Sequence, residues 1–410
     1  MSADQDQKKI IDTLLTPEAV RERCKEIFRL GLRSELPWFS INLDGLNKAT
    51  ERVLLEINTN YPDRKIPFHS RWRHFEINKI NLWDLAARET NITTIERLIS
   101  AGDLAIISVL LDAGAGSEWS YKDKKTGLVL PRSEGLAIAS FRLFQSGLLS
   151  NNSDQPYRVD GQALISLNTK HLAEEMQSRE NNQLLGIDSR ANLLRNLGEE
   201  IQNNPDVFEY RGTVRPGNLL LRLADIQNLR TRDILISVLK NLSGIWPTRF
   251  QIGNYKLGDV WKHSCIIRAD PTNHFVPFHK LSQWLSYSLI EPLQIAGSRV
   301  LELGDLTGLA EYRNGGLFID TGTIVPKTSE ILKKEYLPHE EIIVEWRALT
   351  VALLDVLAER VREALDQSVE ELPLASILEG GTWKAGRKIA AEKRKNGVPP
   401  IHVTSDATVF

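Results

Sequence analysis

Apolar residues recur at three- and four-residue intervals along most of the chain, which is the spacing of amphipathic helices. One helix is predicted to begin after Thr16-Pro17 and to run to Leu30, because a threonine cap followed by proline is a common helix start. Further helices are predicted over the ranges 46–57, 93–101, 104–112, 133–147, 160–176, 189–202, 218–223, 233–242 and 340–365. Only the range 250–257 alternates as a short hairpin does. The pattern predicts an all-α fold, mostly helical, that allows one small β-hairpin.

The stretch 274–323 is predicted to form two helices joined by a loop. The first helix carries an apolar stripe and, beside it, a polar stripe that begins at Lys280. The second helix is predicted over 305–313. It is expected to end at Asn314-Gly315-Gly316, since these residues tolerate a left-handed backbone.

Glu311 is predicted to share a helix face with Gly304 and Gly308. Each glycine costs a helix roughly 1 kcal/mol relative to alanine, and leaves space where a side chain would stand. A carboxylate beside empty space, with Lys280 near it in sequence, indicates a small-molecule pocket. The alternative is a glycine-packed helix pair with Glu311 in solvent.

A second carboxylate, Asp112, continues the buried stripe of the helix 104–112, which is unusual unless the charge is paired or used. The small-residue turn 113–116 follows it, and Glu118 and Trp119 come next. Such a turn lets a ligand approach the backbone and stack on the tryptophan. A helix cap with a packed tryptophan is the other interpretation.

The range 66–76 is dense in arginine, histidine and aromatic residues and is predicted to be a loop. It either binds an anion or holds two lobes together, and the second is favoured because arginine and aromatic side chains commonly fill interfaces. The chain is divided on this pattern into an N-terminal helical lobe, 1–90, and a main helical domain, 91–410. A basic tail begins at about residue 380 and is predicted to be a solvated helix face.

Composition excludes several classes of protein. The formal net charge of −2 gives no reason to expect a nucleic acid or an anionic membrane as partner. Two cysteines cannot form a disulfide framework or a thiolate metal cluster. The polar N-terminus lacks the apolar core of a signal peptide, and the longest apolar run, 104–111, is too short to cross a bilayer. A cytoplasmic location is therefore expected.

Common catalytic motifs are absent: the sequence has no phosphate-binding glycine loop, no HExxH and no GxSxG. Two pairs of histidines stand five apart, which places them on different helix faces, and no third ligand accompanies them. We therefore expect neither a metal nor another cofactor. Carboxylates and a lysine remain, and they suit hydrolysis through a cationic or oxocarbenium-like intermediate.

Motifs spread over most of the chain carry a family resemblance. They are HSRWRHF (69–75), LLDAGAGSEW (110–119), RSEGLAIASF (132–141), RPGNLL (215–220), LGDVW (257–261), FHKLSQWL (278–285), DLTGLAEYRNGGLFID (305–320), EWRALT (345–350), GGTWKAGRKIA (380–390) and SDATVF (405–410). The chain resembles the uracil-catabolism protein 4 family. The resemblance implies a cytosolic part in pyrimidine degradation, by a route that opens the ring after phosphoribosylation and ends in urea.

A fainter similarity joins four of these segments, in the same order, to the queuosine-salvage nucleoside hydrolases. Those proteins have an all-α, helical DNA-glycosylase-like architecture and cleave an N-glycosidic bond. The resemblance places their acidic residue on Glu311, their lysine on Lys280 and a further aspartate on Asp112. Glutamate here replaces aspartate, which bears on substrate identity more than on the bond that is cleaved.

The resulting hypothesis is an N-ribosyl hydrolase that acts on a ring-opened ureido-riboside or its phosphate. Glu311, Asp112 and Lys280 are the predicted catalytic residues. The predicted substrate-binding residues are His279, Trp119, Asp305, Tyr312, Arg313 and Glu118. A ring-opening amidohydrolase of the same pathway and a non-catalytic scaffold remain as alternatives, and the sequence does not indicate an oligomeric state.

Overall fold

A computed structural model describes residues 3–77, 80–90, 92–116, 118–246 and 249–404, with side chains described from residue 7 onward. The α-helices are α1 (Ala3–Leu14), α2 (Pro17–Leu32), α3 (Leu43–Asn60), α4 (Leu82–Glu89), α5 (Thr94–Leu110), α6 (Arg132–Gln145), α7 (Gly161–Ile165), α8 (Thr169–Glu175), α9 (Ile187–Gln202), α10 (Pro205–Phe208), α11 (Leu219–Ala224), α12 (Thr231–Leu242), α13 (Lys280–Ile295), α14 (Tyr312–Asp320), α15 (Glu341–Leu365), α16 (Leu374–Ile377) and α17 (Trp383–Lys393). The architecture is largely helical, as the periodicity predicts.

Short strands pair two by two and pin loops to the helical body. They are β1 (Phe39–Ile41), β2 (Glu76–Ile77), β3 (Ile80–Asn81), β4 (Ser120–Lys122), β5 (Val129–Pro131), β6 (Glu209–Tyr210), β7 (Thr213–Val214), β8 (Leu229–Arg230), β9 (Gln251–Ile252), β10 (Tyr255–Lys256), β11 (Val260–Lys262), β12 (Phe275–Pro277), β13 (Val300–Leu301), β14 (Ile324–Pro326), β15 (Glu335–Tyr336) and β16 (His402–Val403). The parallel pair β15–β16 fixes the C-terminal segment against the body. The hairpin predicted over 250–257 is confirmed as β9–β10.

Several helix predictions are confirmed to within a few residues. The helix predicted after Thr16-Pro17 is α2, and the Thr16 side chain accepts a hydrogen bond of 3.1 Å from the backbone of Ala19. The long helix predicted over 340–365 is α15. Elsewhere the divisions differ, because the helices predicted over 93–101 and 104–112 are the single helix α5, which ends at Leu110, and the range 160–176 forms the two short helices α7 and α8. The motif at 405–410 lies outside the described residues.

The helix predicted over 305–313 is wrong. The chain is not helical from Leu306 to Glu311, and the helix α14 begins only at Tyr312. The reason is that the Glu311 carboxylate accepts hydrogen bonds from the backbone amides of Arg313 and Asn314, and so acts as an N-cap. The sequence 314–316, predicted to stop a helix, therefore lies inside one.

Gly308 serves helix packing rather than a ligand. A Cβ atom there would lie 2.5 Å from Cδ1 of Leu354, so α15 fills the space that the sequence assigned to a pocket. The space beside Glu311 arises instead where the ends of several helices meet.

One continuous hydrophobic core runs from Ile11 to Ile401. The helix α15 lies at its centre, because its side chains are buried along almost its whole length and α2, α3 and α14 all pack against it. Residues on both sides of position 90 contribute to this core, while the division there stays a prediction. No helix in the described ranges is long and apolar enough to cross a membrane.

The helices α14 and α17 approach each other closely at Gly386. A Cβ atom at Gly386 would lie 2.2 Å from the backbone oxygen of Arg313, so only glycine allows this contact. We expect Gly386→Ala to lower the free energy of unfolding by about 1–3 kcal/mol, because the two helices must separate. Gly304→Ala is the control, since its nearest neighbour is a flexible Val369 methyl group at 3.3 Å. Urea unfolding measures both, and equal stability of the two variants would contradict the close approach.

Candidate active site

A cavity of about 310 Å³ opens where several helix ends meet. Its walls come from the turn after α5, the start of α6, the first residue of α13, the segment before α14, and the C-terminal segment around β16. Asp112, Lys280 and Glu311 all line it. The three residues that sequence reasoning placed in one pocket are therefore brought together, from parts of the chain up to about 200 residues apart, and their catalytic roles stay predictions.

Glu311 is held rigidly at the cavity. Oε2 accepts a hydrogen bond of 2.7 Å from the amide of Arg313, and Oε1 accepts one of 2.5 Å from the amide of Asn314. Burial raises the pKa of Glu311, while these two amides and the nearby charge of Lys280 oppose the rise. The result is an oriented carboxylate at a helix N-terminus, whose remaining lone pairs face the cavity.

Lys280 is a cation without a direct partner. Its ammonium makes no hydrogen bond or ion pair with the described part of the chain, although Glu311 and Asp112 attract it across the cavity. Burial lowers the pKa of Lys280, and those two carboxylates oppose the change. A buried ammonium with three free donors is suited to binding the oxygen atoms of a polar ligand.

Asp112 lies just beyond the end of α5, next to a buried arginine. Its Oδ1 is 3.1 Å from Nη1 of Arg71, yet neither Oδ1 of Asp112 nor Nη2 of Arg71 has a hydrogen-bond partner among the described residues. Burial raises the pKa of Asp112, and the Arg71 charge opposes this. Buried polar atoms normally have partners, so these orphan atoms indicate a place for polar ligand groups.

The buried side chain of Arg190 holds the turn that follows α5 and carries Asp112. This buried guanidinium donates to the backbone oxygens of Leu111, Ala113 and Gly114, the last two at 2.9 Å. The small residues of the turn expose their backbone to the cavity. The flexible turn expected from the sequence is thus held in place by a side chain 76 or more positions away.

Aromatic side chains form one wall. His69 and His74 both contact Trp284 and Trp383, with ring centroids 6.1–6.4 Å apart. Burial, aided by the charge of Arg71, lowers the pKa of His74 to about 3, so its ring is neutral at physiological pH. Nδ1 of His74 and Nε1 of Trp284 lack hydrogen-bond partners in the described ranges and add two further polar contact points.

A buried ion pair positions both Lys280 and Glu311. Arg347, in the second turn of α15, donates to both carboxylate oxygens of Asp259 at 2.9 and 2.8 Å. The same carboxylate accepts the backbone amide of Lys280 at 2.9 Å, which caps α13. Nε of Arg347 also donates to the backbone oxygen of Ala310, the residue before Glu311. Burial alone would raise the pKa of Asp259, but Arg347 outweighs it and holds that pKa well below its usual value.

Two predicted substrate-binding residues, Tyr312 and Arg313, line the cavity. The other four lie outside it. Trp119 is fully buried and donates to the backbone oxygen of Met176, which is the packed-tryptophan interpretation. His279 pairs with the backbone oxygen of Leu14, Asp305 pairs with Arg230, and Glu118 is exposed at the surface.

Sequence reasoning missed the aromatic wall and the C-terminal wall. His69 and His74 of the range 66–76 belong to the first, although the favoured role there was to join two lobes. That role is also visible, because Arg73 pairs with Glu291 and His69 with Glu379. Nothing local indicated that 397–403 would close the cavity. Within the described ranges, no three His, Cys, Asp or Glu side chains are grouped so as to hold a metal ion.

The structure is that of a largely helical protein with a partly open cavity lined by charged and aromatic side chains. Residues 13–410 match the family described as "Protein of unknown function (DUF1688)", and the chain belongs to this family. It is 36% identical to Protein urg3 of Schizosaccharomyces pombe (strain 972 / ATCC 24843), over 97% of this chain and 98% of that one. It is 34% identical to Uracil catabolism protein 4 of Lachancea kluyveri, over 96% of this chain and 97% of the relative.

We expect Arg347→Met to lower the free energy of unfolding by about 3–5 kcal/mol, because it leaves the Asp259 carboxylate buried without its partner. Replacing both partners, Arg347→Met with Asp259→Asn, should recover much of that loss, because no buried charge is left unpaired. Arg33→Met, which breaks an exposed pair with Glu35, is the control and should change little. Urea unfolding followed by circular dichroism measures all three. A single variant as stable as the parent would show that the pair does not support the fold.

Proposed function

We propose that this protein is an enzyme of uracil catabolism that hydrolyses the N-glycosidic bond of a ring-opened ureido-riboside or its phosphate. The observation that carries the proposal is the pair formed by an oriented carboxylate, Glu311, and a cation without a direct partner, Lys280, in the walls of one cavity. The name of the Lachancea relative, Uracil catabolism protein 4, supports the pathway. A cavity lined by charged groups that lack direct partners also favours an enzyme over a scaffold.

Glu311 would stabilise the reaction at the sugar. As the C1′–N bond breaks, positive charge builds on the ribose ring, and a fixed carboxylate lowers the energy of that state. The same carboxylate can accept a proton from the water that attacks C1′. The leaving nitrogen takes up this proton, which returns Glu311 to its ionised form, so the products are free ribose, or its phosphate, and urea. Because two backbone amides already hold Glu311, little reorganisation is needed at the moment of reaction.

Lys280 and Asp112 would bind the substrate. The Lys280 ammonium can donate to ribose or phosphate oxygens. Oδ1 of Asp112 can accept from sugar hydroxyls or from the ureido group, and Nη2 of Arg71 can donate beside it. The substrate would thus satisfy polar atoms that the protein leaves without partners. The proposal needs no cofactor.

The distant similarity to queuosine-salvage nucleoside hydrolases supports the same bond type. Its four segments are 110–119, 278–285, 305–313 and 345–348, and they carry Asp112, Lys280, Glu311 and Arg347 respectively. Three of these side chains line the cavity and the fourth fixes two of them. A helical DNA-glycosylase-like architecture is accordingly part of the proposal.

The direct test is to incubate the purified protein with ribosylurea and ribosylurea 5′-phosphate and to measure released urea. We expect Glu311→Gln to lower kcat by about a hundredfold or more while substrate binding survives, because the amide keeps the size but not the charge. The variant also weakens the cap of α14, at a cost of roughly 1 kcal/mol, so a lower melting temperature is expected too. Glu330→Gln, at an exposed carboxylate, is the control. A fully active Glu311→Gln would restrict Glu311 to its capping role.

The pH dependence of kcat/KM should be bell-shaped. Glu311 must be ionised and its pKa is raised, so activity should fall on acidification already above pH 4.5. Lys280 must be protonated and its pKa is lowered, so activity should fall on the alkaline side already below pH 10.5. Lys280→Arg should move only the alkaline limb, to higher pH, because arginine keeps its charge to about pH 12 or beyond. An alkaline limb that stays in place would exclude Lys280 as its source.

A further inference from the structure

A second cavity, of about 330 Å³, adjoins the first. The two share Arg132, Arg313 and Gly397 in their walls, so they lie side by side. The remaining wall of the second cavity is the end of α17 and the residues after it. This segment belongs to the basic tail, for which the sequence predicts a solvated helix face.

The second cavity holds an excess of positive charge that the protein does not neutralise. Six of its side chains are basic and one is acidic. The acid, Glu392, is paired outward with Arg52. Two of the bases are paired as well, Arg387 with Glu134 and Arg394 with Asp320. The other four form no ion pair within the described part of the chain, and they are Arg132, Arg313, Lys393 and Lys395.

The two unpaired arginines are built in rather than loosely placed. Arg313 is only 5% exposed, and its Nη1 donates to the backbone oxygen of Gly397 at 2.8 Å. Nη2 of Arg132 donates to the backbone oxygen of Asn396 at 3.1 Å. The backbone of Arg132 has φ of +55°, a conformation that a non-glycine residue adopts at a cost. Each guanidinium keeps further N–H donors for a ligand.

We propose that this second cavity is the subsite for a phosphate monoester, so that the substrate is a phosphorylated riboside rather than the free riboside. This inference rests on the proposed function, which left open whether the riboside carries a phosphate group. A guanidinium group can donate two parallel hydrogen bonds to phosphate oxygens, and lysines add positive charge at the rim of the cavity. A ribose ring in the first cavity presents its C1′ toward Glu311 and its 5′ end toward the shared wall. Arg313 and Arg132 then separate the reacting bond from the phosphate.

The test measures binding, which does not require turnover. Calorimetric titration with ribose 5-phosphate and with ribose compares the two ligands on the unmodified protein. We expect ribose 5-phosphate to bind about tenfold tighter or more, and high salt to reduce this difference. Arg132→Gln should remove most of the difference. The double change Lys393→Gln with Lys395→Gln should remove part of it, and because both lysines are exposed, this variant guards against a folding defect of the first.

Arg387→Gln is the matched control, because Arg387 lines the same cavity but is already paired with Glu134. It should leave the preference for ribose 5-phosphate intact. Equal affinity for ribose and ribose 5-phosphate would overturn the phosphate subsite, and so would the same loss in Arg387→Gln as in Arg132→Gln. If free ribosylurea is hydrolysed as fast as its phosphate, the subsite fails and the hydrolase survives. If ribose 5-phosphate binds as expected but neither riboside is cleaved, the subsite stands and the hydrolase fails.

Discussion

The site depends on a single guanidinium. Arg347 reaches from the second turn of α15 to Asp259 and to the backbone beside Glu311, and Asp259 in turn holds the first amide of α13. Burying this pair is costly, since two charges leave water, and the cost is repaid only by close contact and additional hydrogen bonds. The pair therefore contributes more to the geometry than to net stability. It fixes the distance between the carboxylate and the lysine that we assign to the reaction.

The charged groups of the cavity are held near one another but not in full contact. Lys280 and Glu311 attract each other across a space instead of touching, and Asp112 meets Arg71 without a proper hydrogen bond. A protein that needed only stability would bring such groups into contact. Here burial raises the pKa of each carboxyl group and lowers the pKa of each base, which favours their neutral forms. A polar ligand would relieve that unfavourable desolvation. The unsatisfied atoms, more than any one side chain, identify the site.

The sequence predicts the helices well and the loops between them poorly. Periodicity locates α15 and the cap at Thr16 locates α2, because both signals are local. The helix expected over 305–313 fails because Glu311 can cap the following helix as readily as it can continue a preceding one, and local pattern does not distinguish the two. The residue pattern singled out Glu311, Lys280 and Asp112, and the resemblance added catalytic roles for them that stay predictions. The aromatic wall was hidden, since Trp284 belongs to an apolar stripe that looks like ordinary core.

The C-terminal wall has a consequence for the order of events during synthesis and for ligand screening. His69 meets Glu379 across 310 positions, and 397–403 closes the cavity only once β16 has paired with β15. The cavity is therefore complete only after residues 397–403 have been synthesised and have packed in place. Since only the complete fold binds, the binding free energy adds to the stability of the whole molecule. A rise in melting temperature thus reports occupancy directly, whatever reaction follows.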